Sequence, residues 1–96
     1  MAKKAPTKKE KDYMASAVEL GCILDFCRMP AEIHHPRYLA GAGQRAPHIQ
    51  GIPICPKHHR TGGYGVAIHA GQATWEAKFG TEAELLKLTY KKLGLL

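Results

Sequence analysis

Two histidines stand side by side at His34 and His35, and twenty residues on comes Cys55-Pro56-Lys57-His58-His59. Thiolate and neutral imidazole are ligands for divalent metals, and imidazole also accepts a proton near neutral pH. A doubled His followed by C-x-x-H-H therefore gathers metal ligands and a proton acceptor into one short segment. In a basic chain, that set points to hydrolysis of a phosphodiester backbone.

Zinc prefers four thiolate or imidazole ligands in a tetrahedron, supplied as two short-spaced pairs that the fold brings together. Cys22 and Cys27 form one pair and Cys55 and His58 the other, giving a Cys3His structural zinc site. The competing reading makes the three cysteines small buried hydrophobes. It suits Cys22, between Gly21 and Ile23, better than Cys55, which precedes Pro-Lys-His-His.

His34, His35 and His59 then remain for chemistry. Neighbours on a strand point to opposite faces, so His34 and His35 cannot both bind one metal without distortion. One imidazole would bind a catalytic metal and the other would take a proton from an attacking water. The metal would stabilise charge on the phosphate and on the leaving oxygen.

The elements that must position these groups are short. Residues 1–12 read as a disordered basic arm and 13–96 as the folded domain. Asp12 is expected to N-cap a helix running to Leu20, with Gly21 ending it. Cys22 to Arg28 reads as a knuckle-like turn with two thiols. Ala31 to His35 and Ile52 to Cys55 are strand candidates, separated by a loop marked by Gly41, Gly43 and Pro47. After His59 the glycines at 62, 63 and 65 cannot extend a helix cheaply, since each interior Gly costs about 1 kcal/mol relative to Ala. Val66 to His69 is a further strand candidate, and Gln72 to Phe79 a helix stopped by Gly80. Thr81-x-x-Glu84 matches a capping box opening a last helix to about Leu93.

Size and composition agree with a small α+β, loop-rich fold with flanking short helices, stabilised by zinc. The chain has 96 residues, 7% of them aromatic, with 10 glycines and 6 prolines. A core that small commonly needs a metal. Fourteen Lys+Arg against eight Asp+Glu give +6, which favours nucleic acid without selecting a sequence. Five of those cations lie in the first eleven residues, so charge alone makes a mild case. Three cysteines, with no signal-like apolar stretch, are not a secreted disulfide scaffold, and no membrane span is expected. A cytoplasmic protein with reduced thiols is expected.

Glu32-Ile33-His34-His35-Pro36, a glycine-bearing loop and Ile52-Pro53-Ile54-Cys55-Pro56-Lys57-His58-His59 resemble the HNH endonucleases, with their ββα-metal core. AEIHHP, IPICPKHH and WEAKFGTEAELL resemble, more narrowly, the phage recombination-enhancement (Ref) branch, nucleases that act with RecA. The resemblance covers about residues 20 to 90. It implies that His34 is the first ligand of a catalytic Mg2+ or Mn2+, His35 the general base and His59 the second ligand. The family's middle Asn falls on Gln50, whose side chain is one carbon longer, and His48 is close enough to take that role. His69 stands outside the pattern as a third ligand, a phosphate contact or a structural histidine, and base rates favour the last. Arg37, Arg45, Lys57 and Arg60 are candidate phosphate contacts.

The resulting expectation is a metal-dependent endodeoxyribonuclease with little sequence preference. The Ref resemblance implies targeting by a RecA filament on single-stranded DNA, in the cytoplasm of a bacterial host if phage-encoded. A non-catalytic zinc module binding nucleic acid or protein would need the Cys3His set and predicts nothing about His34, His35 and His59. A toxin-like nuclease domain acting on RNA is a third reading.

Overall fold

The computed structural model describes residues 5–24, 26–37 and 48–96. Helix α1 spans Lys8–Glu19, strand β1 Glu32–His34 and strand β2 Ile52–Ile54. A π-helical segment Lys57–Thr61 follows β2 at once, and helices α2 (Gln72–Phe79) and α3 (Glu82–Lys92) close the chain. Two 3-10 turns, His48–Gln50 and Ile68–Ala70, connect these elements. This is a small α+β fold with one two-stranded sheet among the described residues.

Helix α1 begins four residues before the expected cap at Asp12. Thr7 is the N-cap, taking the Glu10 backbone N–H on its hydroxyl, while the Glu10 carboxylate takes the Thr7 N–H at 2.8 Å. That reciprocal capping box satisfies two donors that a helix start leaves orphaned. Lys8, Lys9 and Lys11, assigned by composition to a disordered arm, therefore lie on a helix. Gly21, in the left-handed region at φ 75°, ends α1 and turns the chain into the cysteine knuckle.

Strands β1 and β2 pair antiparallel, with Glu32 opposite Ile54, Ile33 opposite Pro53 and His34 opposite Ile52. Pro53 has no N–H to give, and its carbonyl accepts from the Ile23 N–H at 2.8 Å. The knuckle is thereby laid along β2 and brought over Cys55.

Trp75 is fully buried and anchors a core with Ile23, Leu24, Ile52, Ile54, Ile68, Leu85 and Leu86. Its indole N–H donates to the Val66 carbonyl at 3.0 Å. That bond helps explain why the strand expected over Val66 to His69 does not form. Val66 and Ala67 turn back to the Gly63 carbonyl, and the chain continues as the 3-10 turn. The capping box at Thr81 forms as expected and opens α3 at Glu82. Tyr13 and Tyr90 donate to the Gly51 and Ile49 carbonyls at 2.7 and 2.6 Å, holding the turn that carries His48 between α1 and α3. No helix among the described residues is long and apolar enough to cross a membrane.

Candidate functional site

Cys22, Cys27, Cys55 and His58 converge, each offering one ligand atom, all within 4.8 Å of one another. Cys22 and Cys27 sit on the knuckle, whose backbone is closed by Cys22 N–H to Met29 O and Cys27 N–H to Leu24 O. Cys55 leaves the end of β2, and His58 follows on the π-helical segment. The Cys27 and Cys55 sulfurs are 3.6 Å apart, and the Cys55 sulfur is 3.1 Å from His58 Nδ1. Sulfurs around tetrahedral zinc, at about 2.3 Å from the ion, stand about 3.8 Å apart. The donor set and spacing thus fit a metal such as zinc.

The surroundings act on these donors in opposite directions, holding the proton on Cys22 and easing its loss from Cys27 and His58. Burial pushes the Cys22 thiol up to about 12. Burial also raises Cys27, but the Met29 backbone hydrogen bond and those with Cys55 and Cys22 outweigh it, and its net shift is downward. Burial, then the charges of Lys57 and Lys78, lowers His58 and keeps its imidazole neutral. Phe26 and Phe79 close over that ring edge-on, with centroids at 5.6 and 5.5 Å.

A second set lies one residue further on. His34, His59 and His69 present ring nitrogens within 4.8 Å of one another. His59 Nε2 and His69 Nε2 are 2.9 Å apart, and the His34 and His59 rings stand edge-on at 5.0 Å. His34 comes from the end of β1, His59 from the π-helical segment and His69 from the second 3-10 turn.

Two carboxylates orient these rings from behind. His59 Nδ1 lies 2.6 Å from Glu32 Oε2 and donates its proton there, which leaves the Nε2 lone pair for the cluster. His34 Nε2 lies 2.5 Å from Glu82 Oε2 and donates likewise, leaving Nδ1 as its free lone pair. That Nδ1 is buried and has no hydrogen-bond partner. An orphaned buried nitrogen costs about 1–3 kcal/mol, and a metal ligated there removes the penalty. Burial lowers the pKa of His59 despite Glu32, and lowers that of His69 with help from His59 and His34. The ligand-competent neutral form is thereby favoured in both.

Glu82 is itself buried, at 1% exposure. It accepts the Arg37 backbone N–H at 2.9 and 3.1 Å and sits in the first turn of α3, where the helix dipole favours an anion. Glu32 is held by Arg60 through Nε at 2.7 Å and Nη2 at 3.1 Å, and Arg60 and His59 together lower its pKa.

His35 points away from this cluster, as strand alternation demands. Its Nε2 is 3.0 Å from His48 Nδ1, and the rings meet edge-on at 5.1 Å. Gln50 occupies the same 3-10 turn as His48. Arg45 lies outside the described residues. Arg60, expected among the phosphate contacts, spends its guanidinium on Glu32.

His69 joins the cluster although nothing in its spacing ties it to the motif that begins fourteen residues upstream. Glu32 adjoins the histidine pair in the chain, so its proximity was visible and its role was not. Glu82 read only as part of a helix start. A family model described as recombination enhancement, RecA-dependent nuclease matches residues 6–94. No curated protein matches the chain.

Proposed function

Since the chain belongs to the recombination-enhancement, RecA-dependent nuclease family, we propose that it is a metal-dependent endonuclease of the HNH type that hydrolyses DNA. The observation that carries this reading is the trio His34, His59 and His69, with two of its tautomers set by Glu32 and Glu82 and a buried, unpartnered His34 Nδ1. Structural zinc needs none of these groups. β1, β2 and the π-helical segment correspond in order to the ββα-metal core, with zinc at Cys22, Cys27, Cys55 and His58 holding the knuckle against it.

His34 Nδ1, His59 Nε2 and His69 Nε2 would hold one divalent ion, Mg2+ or Mn2+. When bound, that ion neutralises charge developing on the phosphate and on the leaving oxygen. His35 is the general base. It removes a proton from water as the water oxygen bonds to phosphorus, the P–O ester bond breaks, and the leaving oxygen takes a proton from solvent. His48 holds the His35 ring by the contact at 3.0 Å, the role the middle residue of the motif fills, with Gln50 beside it.

The substrate is DNA engaged through its backbone. Lys8, Lys9 and Lys11 on α1, together with the N-terminal lysines, add non-specific affinity. A RecA filament on single-stranded DNA supplies the targeting, in the cytoplasm of the bacterial cell. The test is plasmid nicking with Mg2+ or Mn2+, with and without RecA. Cleavage that needs the added ion and is lost in His35→Ala is expected; full activity in His35→Ala excludes the assigned base.

A further inference from the structure

Tyr64 combines exposure with fixation. It is 72% exposed, yet its hydroxyl lies 2.7 Å from Thr74 Oγ1 on α2. One edge of its ring rests on the backbone of Gly71, where a Cβ would come within 2.7 Å of the ring. Only glycine at position 71 lets the ring lie there. A tyrosine recruited for the core would be buried; this one is pinned at its edge and its tip while remaining open to solvent.

Its position gives the exposure a purpose. Gly71 ends the 3-10 turn that carries His69, two residues away and so at most about 7 Å along the backbone. Gly63 and Gly65 flank Tyr64, and a Cβ at either would meet nothing within 4 Å. Neither residue beside Tyr64 therefore carries a side chain that would obstruct a strand approaching the ring. Lys78 Nζ reaches the Gly65 carbonyl at 3.5 Å, placing a cation at the same edge.

We propose that Tyr64 is a stacking platform for an unpaired base of single-stranded DNA, next to the phosphate held at the His34–His59–His69 cluster. Every base has a π-face, so such a platform tolerates any sequence, and duplex bases are already occupied by their own neighbours. A ring fixed before binding loses little further freedom on contact. The proposal rests on the nuclease reading only for placing DNA beside His69.

The test is equilibrium binding to zinc-loaded protein without added Mg2+ or Mn2+, so that nothing is cleaved. The probes are a fluorescent oligodeoxythymidylate, an abasic strand of equal length and a duplex. Tyr64→Ala should bind the oligodeoxythymidylate about five- to a hundredfold more weakly, with abasic and duplex affinities unchanged. Tyr64→Phe, which keeps the ring and loses the Thr74 bond, should retain most of the affinity. Wild-type binding by Tyr64→Ala, or an equal loss on the abasic strand, overturns the proposal. If Tyr64→Ala fails to fold, Tyr64→Leu, which keeps apolar cover on Gly71 without a π-face, carries the same two expectations. A protein that stacks bases through Tyr64 but cleaves nothing refutes the nuclease reading alone. One that cleaves while Tyr64→Ala is indifferent to bases refutes the platform alone.

Discussion

His58 and His59 are neighbours in the chain, yet one completes a cluster of three cysteines and the other joins two histidines and two carboxylates. The cysteine cluster is closed: Cys22, Cys55 and His58 are buried, and Phe26 and Phe79 cover the imidazole. Four protein ligands fill a tetrahedron and leave no position for water. The histidine cluster supplies three ligands and keeps one side open, because His69 is exposed whereas His34 and His59 are buried. A closed set suits structure and an open set suits chemistry. The outer partners differ as well. Carboxylates that make imidazole a better ligand stand behind His34 and His59, while aromatic rings that exclude water stand over His58.

The comparison breaks most visibly at the cysteines. Cys55→Ala should unfold the domain and lose the single tight zinc ion per chain that the wild type is expected to bind. Structural zinc contributes about 10–16 kcal/mol in small zinc-dependent folds, more than the net stability of most domains. Far-UV circular dichroism with metal analysis checks this, and a folded, active Cys55→Ala protein would remove zinc from the architecture. His59→Ala should do the reverse, keeping zinc and fold while abolishing cleavage and the binding of a second ion, measured by Mn2+ titration.

His35→Ala should lower the cleavage rate about 10²–10⁴-fold without changing Mn2+ affinity, since the residue handles a proton and not the ion. Glu32→Gln should weaken Mn2+ binding at the histidine cluster about 10–100-fold and leave zinc content unchanged, because the amide no longer fixes the His59 tautomer as a carboxylate does. An unchanged Mn2+ affinity would reduce Glu32 to a partner of Arg60.

The smallest effect concerns pH. Burial lowers the folded-state pKa of His59 and His69, so the unfolded chain takes up protons first as pH falls. Stability of zinc-loaded protein lacking a second divalent ion should therefore be highest above about pH 6.5. It should decline as pH drops through that value toward the lower folded pKa, then level off with respect to these groups. The lowered pKa of Glu32 adds stability that persists throughout this window and is lost only at more acid pH. Thermal melts across about pH 5–8 check the sign, and stabilisation on acidification would contradict the burial argument.

Several features were legible because they depend on neighbours in the chain. The Thr81-Glu84 capping box, the helix from Gln72 to Phe79 and the two strands are local patterns, and they formed within a residue or two of expectation. The start of α1 departs from the Asp12 expectation because Thr7 and Glu10 form a reciprocal capping pair. The strand expected at Val66 to His69 was a local propensity overruled by tertiary demand. Its backbone is consumed by turns to Gly63 and by the Trp75 indole.

What the sequence determined by itself was the inventory of candidate ligands and its pairing: C-x4-C, C-x-x-H and two adjacent histidines, with strand alternation separating His34 from His35. Those rules act over one to five residues and need no knowledge of the fold. The third histidine and the carboxylate behind the first were decided only by tertiary structure. His69 reaches the cluster because Gly62 to Gly65 turn the chain back, and Glu82, 48 residues from His34, arrives because Trp75, Leu85 and Leu86 dock α2 and α3 on the core. Such contacts are fixed by packing of distant apolar side chains, which leaves no signature in the spacing of the polar residues that it brings together.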